Sequence, residues 1–513
     1  MGFRVCGLGL ALAAAVPALA AAQLSPVGVP AGVVRFEADG ALESWDSRWF
    51  DGNKEGWGAD VASPALGADL FPFLAGSETT IRQVTGLSGF QINLGALTTD
   101  AMVDRGVGMF GLSLGLTHAI TIFGRMPLVY VRVQHESSLD PAAANAGANP
   151  GSAQQQAFFD QFDAALSTLS ARIAAGDYAG DPTALALAQS TLASGTELRD
   201  DLFGLLSDPE TASPFVPLAA SDAGVALDGR IDALQITLAT NLGVAGFTEA
   251  PALPSAPLTA AELEGVISDP TGPIRMLTDE SKVTFRGDAE AGAALTLVDK
   301  WDQGGKAGGV RAAVEGLMRF PTGALARTSR LLALGTGDGQ TDIEARGTLD
   351  LGGGRWGMRL EGSYNRQLAA DLVKRVAPPG QPYPSADLLG LVRYDPGDET
   401  SFAIRPFFRL AKSLAIIGSA ERWHHGSDEY SYAEGADPVS GVDAAVLGEE
   451  SDASATLLSI GLTYSSFGAT RPGKRSLPVD AGWTYERVVG SSGGRVPDVH
   501  RIRARLRLYF GLW

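Results

Sequence analysis

The sequence predicts an all-β transmembrane barrel, and three observations carry that prediction. Long segments alternate apolar with polar residues, charge extends far along the polar face of several of them, and no apolar run beyond the N-terminal stretch reaches the ~18 residues of a membrane helix. The final segment, RIRARLRLYFGLW from Arg501 to Trp513, shows the pattern most clearly. Ile502, Ala504, Leu506, Leu508, Phe510 and Leu512 fall on one face, while Arg501, Arg503, Arg505 and Arg507 fall on the other.

Other segments repeat this arrangement. In RWGMRLEGSYN, Trp356, Met358, Leu360 and Tyr364 oppose Arg355, Arg359 and Glu361. In SFAIRPFFRL, Phe402, Ile404, Phe408 and Leu410 oppose Arg405 and Arg409. Ile343, Ala345, Leu349 and Leu351 oppose Asp342, Glu344, Arg346 and Asp350. Val310, Ala312, Val314, Met318 and Phe320 oppose Arg311, Glu315 and Arg319. Phe285 and Ala289 alternate with Arg286, Asp288 and Glu290, and Phe90, Ile92 and Leu94 alternate with Gln91 and Asn93. A tilted membrane strand needs about 9–11 residues, against about 5–6 for a soluble one, and most of these segments run to ten or more. Aromatics at the ends of apolar faces, including Trp356, Tyr364, Tyr464, Trp483 and Phe510, fit interfacial girdles. The alternative is a large extracellular β-sandwich with basic outer faces.

Composition narrows the class. Arg4, an apolar run to Val16 and the small residues of PALAAAQ predict a signal peptide over residues 1–22. The one cysteine, Cys6, lies inside it, so the remaining chain has no disulfide, cysteine-based zinc site or cysteine nucleophile. A formal net charge of -18 argues against nucleic acid as a partner.

A cleaved signal, cysteine-free long strands and a terminal aromatic after LRLYFGL resemble a Gram-negative outer-membrane β-barrel. The aromatic end, Phe510 and Trp513, resembles the signal read by the barrel-assembly machinery. Trp513 departs from that pattern, because it shares parity with the arginines. Either it lies beyond the strand or a bulge near Tyr509 switches the register. SLGLTHAITIFGRMPLVYVRV (Ser113 to Val133), RFPTG (Arg319 to Gly323) and LALGTGDGQTDIE (Leu332 to Glu344) are similar to the FadL-like and phenol-degradation meta-pathway porin-like transport families. That resemblance implies hydrophobic or aromatic cargo. It also implies contact with a lipid bilayer and lipopolysaccharide.

About 14 antiparallel strands are expected, within a range of 12 to 16, near 32–43, 84–97, 106–117, 119–133, 284–298, 308–320, 340–351, 355–366, 386–394, 400–410, 413–423, 455–467, 479–489 and 499–512. The first barrel strands occupy 23–133 and the remaining ones 284–513. Residues 134–283 break the alternation. Phe158, Phe162, Ala165, Leu166, Leu169 and Ile173 share one helical face, and Leu185 to Leu206 continue in the same way. This helical insertion is a plug, a cap or a periplasmic subdomain. Counting strands from a periplasmic N-terminus puts it on the periplasmic side, whereas the short THA turn before it argues the reverse.

Several motifs invite enzymatic readings that their context does not support. Gly111–Gly115 matches a nucleophile elbow, yet Ser113 sits mid-strand with leucines alternating around it. Gly106, Gly108 and Gly111 match a dinucleotide fingerprint, but no helix follows. His424, His425, Asp428 and Glu429 read as a solvated loop rather than a metal site. Asp338, Gln340, Asp342 and Glu344 resemble a calcium loop only weakly. No catalytic residue, metal or cofactor is expected.

The expected function is a channel for small solutes through a mixed-charge lumen. Its selectivity candidates are Arg501, Arg503, Arg505, Arg507, Arg405, Arg409, Arg355, Arg359, Glu361, Arg311, Glu315, Arg319 and Glu344. The alternatives are a non-transporting envelope barrel whose helical insertion binds a partner, and an outer-membrane phospholipase.

Overall fold

The computed structural model describes residues 26–302, 308–411, 413–466 and 478–512. The signal segment 1–22 and Trp513 lie outside the described residues. Twelve antiparallel staves form a closed ring: β1 (Val33–Trp45), β2 (Ala96–Gly115), β3 (Ile120–Asp140), β4 (Ser281–Arg286 and Ala289–Asp302), β5 (Gly308–Phe320), β6 (Asp342–Gly353), β7 (Trp356–Gln367), β8 (Glu399–Arg409), β9 (Leu414–His425), β10 (Ala453–Ser465), β11 (Val479–Gly493) and β12 (His500–Gly511). β1 pairs with β12 on one side and with β2 on the other, so the ring has no free edge.

Alternation sends the apolar faces outward. Leu506, Leu462, Ile460, Ile404, Val314, Leu128 and Leu112 are all exposed on the outer wall, whereas the arginines of the same staves are buried inside it. A soluble protein would not present such a band to water, and a lipid-facing barrel requires it. Trp356, Tyr464, Trp483 and Phe510 lie toward one end of the band, with Tyr364 and Phe402 toward the other. On β3 the outward face is apolar from Ile120 to Leu128 and polar from Arg132 onward, where Arg132 bridges Glu280 at 2.7 Å. The part of β3 above Tyr130 therefore stands clear of the bilayer.

Stave β4 breaks opposite Pro127 of β3. Proline cannot donate to the ladder. Pairing jumps from Arg125↔Glu290 to Leu128↔Arg286, and the Pro127 carbonyl accepts from the Gly287 amide at 2.9 Å. The free side of Ser281–Arg286 is covered by the β5–β6 connection, where Thr322 and Thr336 hydroxyls donate to the Gly287 and Arg286 carbonyls at 2.7 and 2.8 Å.

Two expected strands are not staves, which leaves twelve of the fourteen. Residues 84–97 hold the end of α1 (Leu74–Thr85) and an extended segment. Phe90, Ile92 and Leu94 do alternate, but they bury against helices rather than lipid. Residues 386–394 contribute to a separate three-stranded sheet of Ala370–Arg375, Leu389–Asp395 and Glu429–Tyr432. The ring also runs continuously from Val33↔Gly511 to Ser44↔His500, with Tyr509 facing inward. No bulge interrupts β12, which ends at Gly511.

With 84–97 removed from the stave count, three staves precede the insertion. The insertion follows the third stave, at the end opposite the β1 start and the short turns Leu116–Ala119 and Gly354–Arg355. The connections after β1, β3, β5, β7 and β9 all lie at that end. There α2 (Ser152–Ala175), α3 (Pro182–Leu206), α4 (Asp222–Ile236) and α5 (Ala260–Ser268) pack with α1 into one apolar core. Phe162 stacks on Phe247 with centroids 4.7 Å apart, and Tyr383 from the β7–β8 connection joins the same core. Asp181 caps α3, and Thr259 with Glu262 forms a capping box on α5.

Candidate functional site

The inward residues form three layers. Nearest the long connections lies an apolar cluster that includes Trp45, Val103, Val131, Trp423, Leu457 and Val488, joined by Val496, Val499 and Leu334 from connecting segments. Below it the wall is rich in arginine and carboxylate, set among small and uncharged residues such as Ala403, Thr463 and Ser465. At the far end the segment from Pro26 to Gly32 runs inside the ring. The Val29 amide donates to the Thr121 hydroxyl at 2.8 Å, and a side-chain Cβ at Gly115 would sit 2.0 Å from the Pro30 carbonyl oxygen. Only glycine lets the segment approach that closely.

The charged layer is built by register. β12 faces β1, so its arginines meet acids on that strand. Arg501 reaches Glu43 at 2.7 Å and also binds Glu486 of β11. Arg505 reaches Asp39 at 2.7 Å and Glu37 at 3.3 Å, and Arg507 reaches Glu37 at 2.9 Å. Arg503 makes no ion pair among the described residues, and its Nη1 has no hydrogen-bond partner.

On the opposite wall Arg359 grips Asp350 with two hydrogen bonds of 2.6 and 2.8 Å. Arg405 bridges Glu361 at 3.1 Å and Glu421 at 2.9 Å. Arg319 holds Glu290 at 3.1 Å and Asp342 at 2.9 Å and binds Glu344 as well, while Arg346 joins Glu344 to Glu315. Arg125 lies 3.5 Å from Glu315, and Arg311 lies 3.5 Å from Asp350 with its guanidinium 5.2 Å from the Trp301 ring. Arg409 donates to the Gly354 carbonyl and rests near Trp301 and Phe407.

Twelve of the thirteen lumen candidates therefore lie on the inner wall. Arg355 does not: it is exposed in the β6–β7 turn, one residue before the alternation begins. The inner wall also includes residues that the candidate set omits, chiefly Arg35, Glu37, Asp39 and Glu43 of β1, with Arg125, Glu290, Asp350, Glu421 and Glu486. Arg35, Glu37 and Asp39 recur at every second position, the same signal that marks β12.

Ser113 is not presented to a base. It accepts a hydrogen bond from Arg35 Nη2 at 3.1 Å inside the wall. His424 and His425 do point apart, but His425 is not solvated. It is buried, with Nε2 2.9 Å from Asp428 Oδ1 and Nδ1 3.6 Å from Glu399, while His424 meets Ser454. Asp342 and Glu344 face Arg319 rather than a cation loop.

Asp338, in the β5–β6 connection outside the staves, gives that connection a pH dependence. Burial pushes its carboxyl up to about 7, and the charges of Asp342 and Asp288 add to the shift. Its folded value exceeds the unfolded ~3.9. Between these values the native state binds more protons than the unfolded one, so stability falls as pH rises through that window. Residues 321–341 will be better protected from amide exchange at pH 5 than at pH 8, after correction for intrinsic rates. Asp338→Asn will remove the difference.

A closed stave ring with lipid-facing residues outside and paired charges inside defines a transmembrane β-barrel of the outer-membrane type. No family model and no curated protein sequence matches the chain. Among solved structures it is similar to the COG4313 outer membrane channel from Pseudomonas putida F1, at 9% identity and a TM-score of 0.43, over 95% of this chain and 100% of that one. It is also similar to a Pseudomonas aeruginosa FadL homologue (9%, 0.27, over 94% and 90%) and to a TodX monoaromatic hydrocarbon channel mutant (11%, 0.26, over 94% and 90%). With these TM-scores below 0.5, the barrel assignment rests on the strand pairing and the exposed apolar band.

Proposed function

We propose that the chain is a gated outer-membrane channel for small solutes, inserted by the barrel-assembly machinery and surrounded by lipid and lipopolysaccharide. One observation carries the reading. The charged layer encloses a cavity that offers about 70 Å³ to the centres of water-sized molecules, lined from opposite walls by Arg505, Arg507, Arg359, Arg405, Glu361 and Glu421. A wall built only for cohesion would close on itself at interior packing density. The apolar cluster above and the Pro26–Gly32 segment below cover the two ends, so passage requires one of them to move. The fixed charges then set which ions pass. Cargo of hydrophobic or aromatic character, implied by the resemblance to FadL-like transporters, is part of this proposal. No catalytic role is assigned.

In planar bilayers the full chain will show unitary conductance. Arg503→Glu and Arg505→Glu will shift its reversal potential in a salt gradient toward cation preference. Absence of conductance both in the full chain and in a variant lacking residues 140–280 overturns the channel reading.

A further inference from the structure

The cavity in the charged layer holds more hydrogen-bond donors than its wall consumes. Seven of its lining residues are arginines and three are glutamates. Those glutamates are already engaged: Glu361 and Glu421 with Arg405, and Glu315 with Arg346. Three guanidinium N–H groups are not. Arg405 Nη1, Arg505 Nη1 and Arg507 Nε have no partner among the described residues, and their side chains belong to residues only 2%, 5% and 6% exposed. Leaving a buried donor unmade costs about 1–3 kcal/mol, and more when it is charged. These three donors belong to side chains that line the cavity, and an acceptor bound there that draws them inward would satisfy them.

Guanidinium groups present planar forks that match an oxyanion. The rest of the lining adds uncharged surface: Ala403, Gly347, Gly362, Pro26 and Val27. No aromatic ring lines the cavity. A bare hydrocarbon would leave the three donors unpaired, whereas a carboxylate on a short carbon body would engage them.

We propose that this cavity binds the carboxylate of a small organic acid. The proposal rests on the channel reading in one respect, that the bound acid is cargo.

The test is calorimetric titration of the full folded chain in detergent with benzoate, acetate, inorganic phosphate and toluene. It is repeated on Arg405→Lys and on the charge-balanced pair Arg405→Gln with Glu421→Gln, after heat-modifiable gel mobility confirms that each is folded. Benzoate and acetate will bind the native chain, Arg405→Lys will weaken them about tenfold or more because it loses the fork, and toluene will not bind. Equal affinity in all folded variants, no benzoate binding, or toluene tighter than benzoate overturns the proposal. Phosphate tighter than both carboxylates also overturns it, in favour of an inorganic oxyanion. Should neither variant fold, the native chain decides: benzoate, and not toluene, must raise its unfolding temperature. A chain that binds benzoate but carries no current keeps the site and loses the channel. One that carries current and binds no carboxylate loses the site alone.

Discussion

Arg359→Ala will destabilise the folded barrel by about 3–5 kcal/mol, measured by urea unfolding in phospholipid vesicles with tryptophan fluorescence. The Arg359 and Asp350 side chains are each 2% exposed, and their two hydrogen bonds form one fork. Removing the arginine strands a carboxylate that lipid cannot solvate from outside and whose own side chain is only 2% exposed. Arg311, 3.5 Å from Asp350, offsets only part of that loss. Arg359→Leu with Asp350→Leu removes both charges together and will recover most of the stability, because the desolvation cost disappears with the attraction. If the single variant loses less than about 1 kcal/mol, as an exposed ion pair would, the layer is hydrated rather than dry.

The second large effect lies on the other face. Ile460→Arg will cost about 2–4 kcal/mol in the same assay, since charge on the lipid face is most expensive at mid-depth. Ile460 is 59% exposed, sits between the outward residues Leu458 and Leu462, and lies in the middle of β10. Leu512→Arg, just past the end of β12, will cost about 0–1 kcal/mol, because the side chain reaches the interface. Equal costs at the two positions would contradict a membrane-spanning β10.

The staves were legible because several inward faces carry charge at every second or fourth residue, and the outward faces of the rest are apolar. Arg501 to Arg507 and Asp342 to Asp350 show this without any partner in view. The ion-pair map was not legible, because Arg507 and Glu37 lie 470 residues apart and only the closing register joins them. Phe90, Ile92 and Leu94 misled because a strand against lipid and an extended segment against a helical core need the same alternation. The two arguments about the side of the insertion diverged because one counted 84–97 as a stave; with three staves before the insertion, the count and the short β2–β3 turn point the same way. His425 was misread because its loop is polar, whereas its environment comes from Glu399, 26 positions upstream on the neighbouring stave. Arg355 was misassigned because a turn can extend an alternating pattern by one residue without sharing its face.

The pairing of β1 with β12 also bears on how the molecule is made. The first and last staves are neighbours, so every preceding hairpin can form while the sheet still has two open edges. Those edges can recruit other chains until the final stave arrives. At that moment backbone ladder and charge act together, with Arg501, Arg505 and Arg507 meeting Glu43, Asp39 and Glu37. A slip of one residue would turn those arginines into the bilayer, at about 2–4 kcal/mol each near mid-depth. The arginine row is thus a proofreading device for closure: every odd slip of the last strand buries charge in lipid.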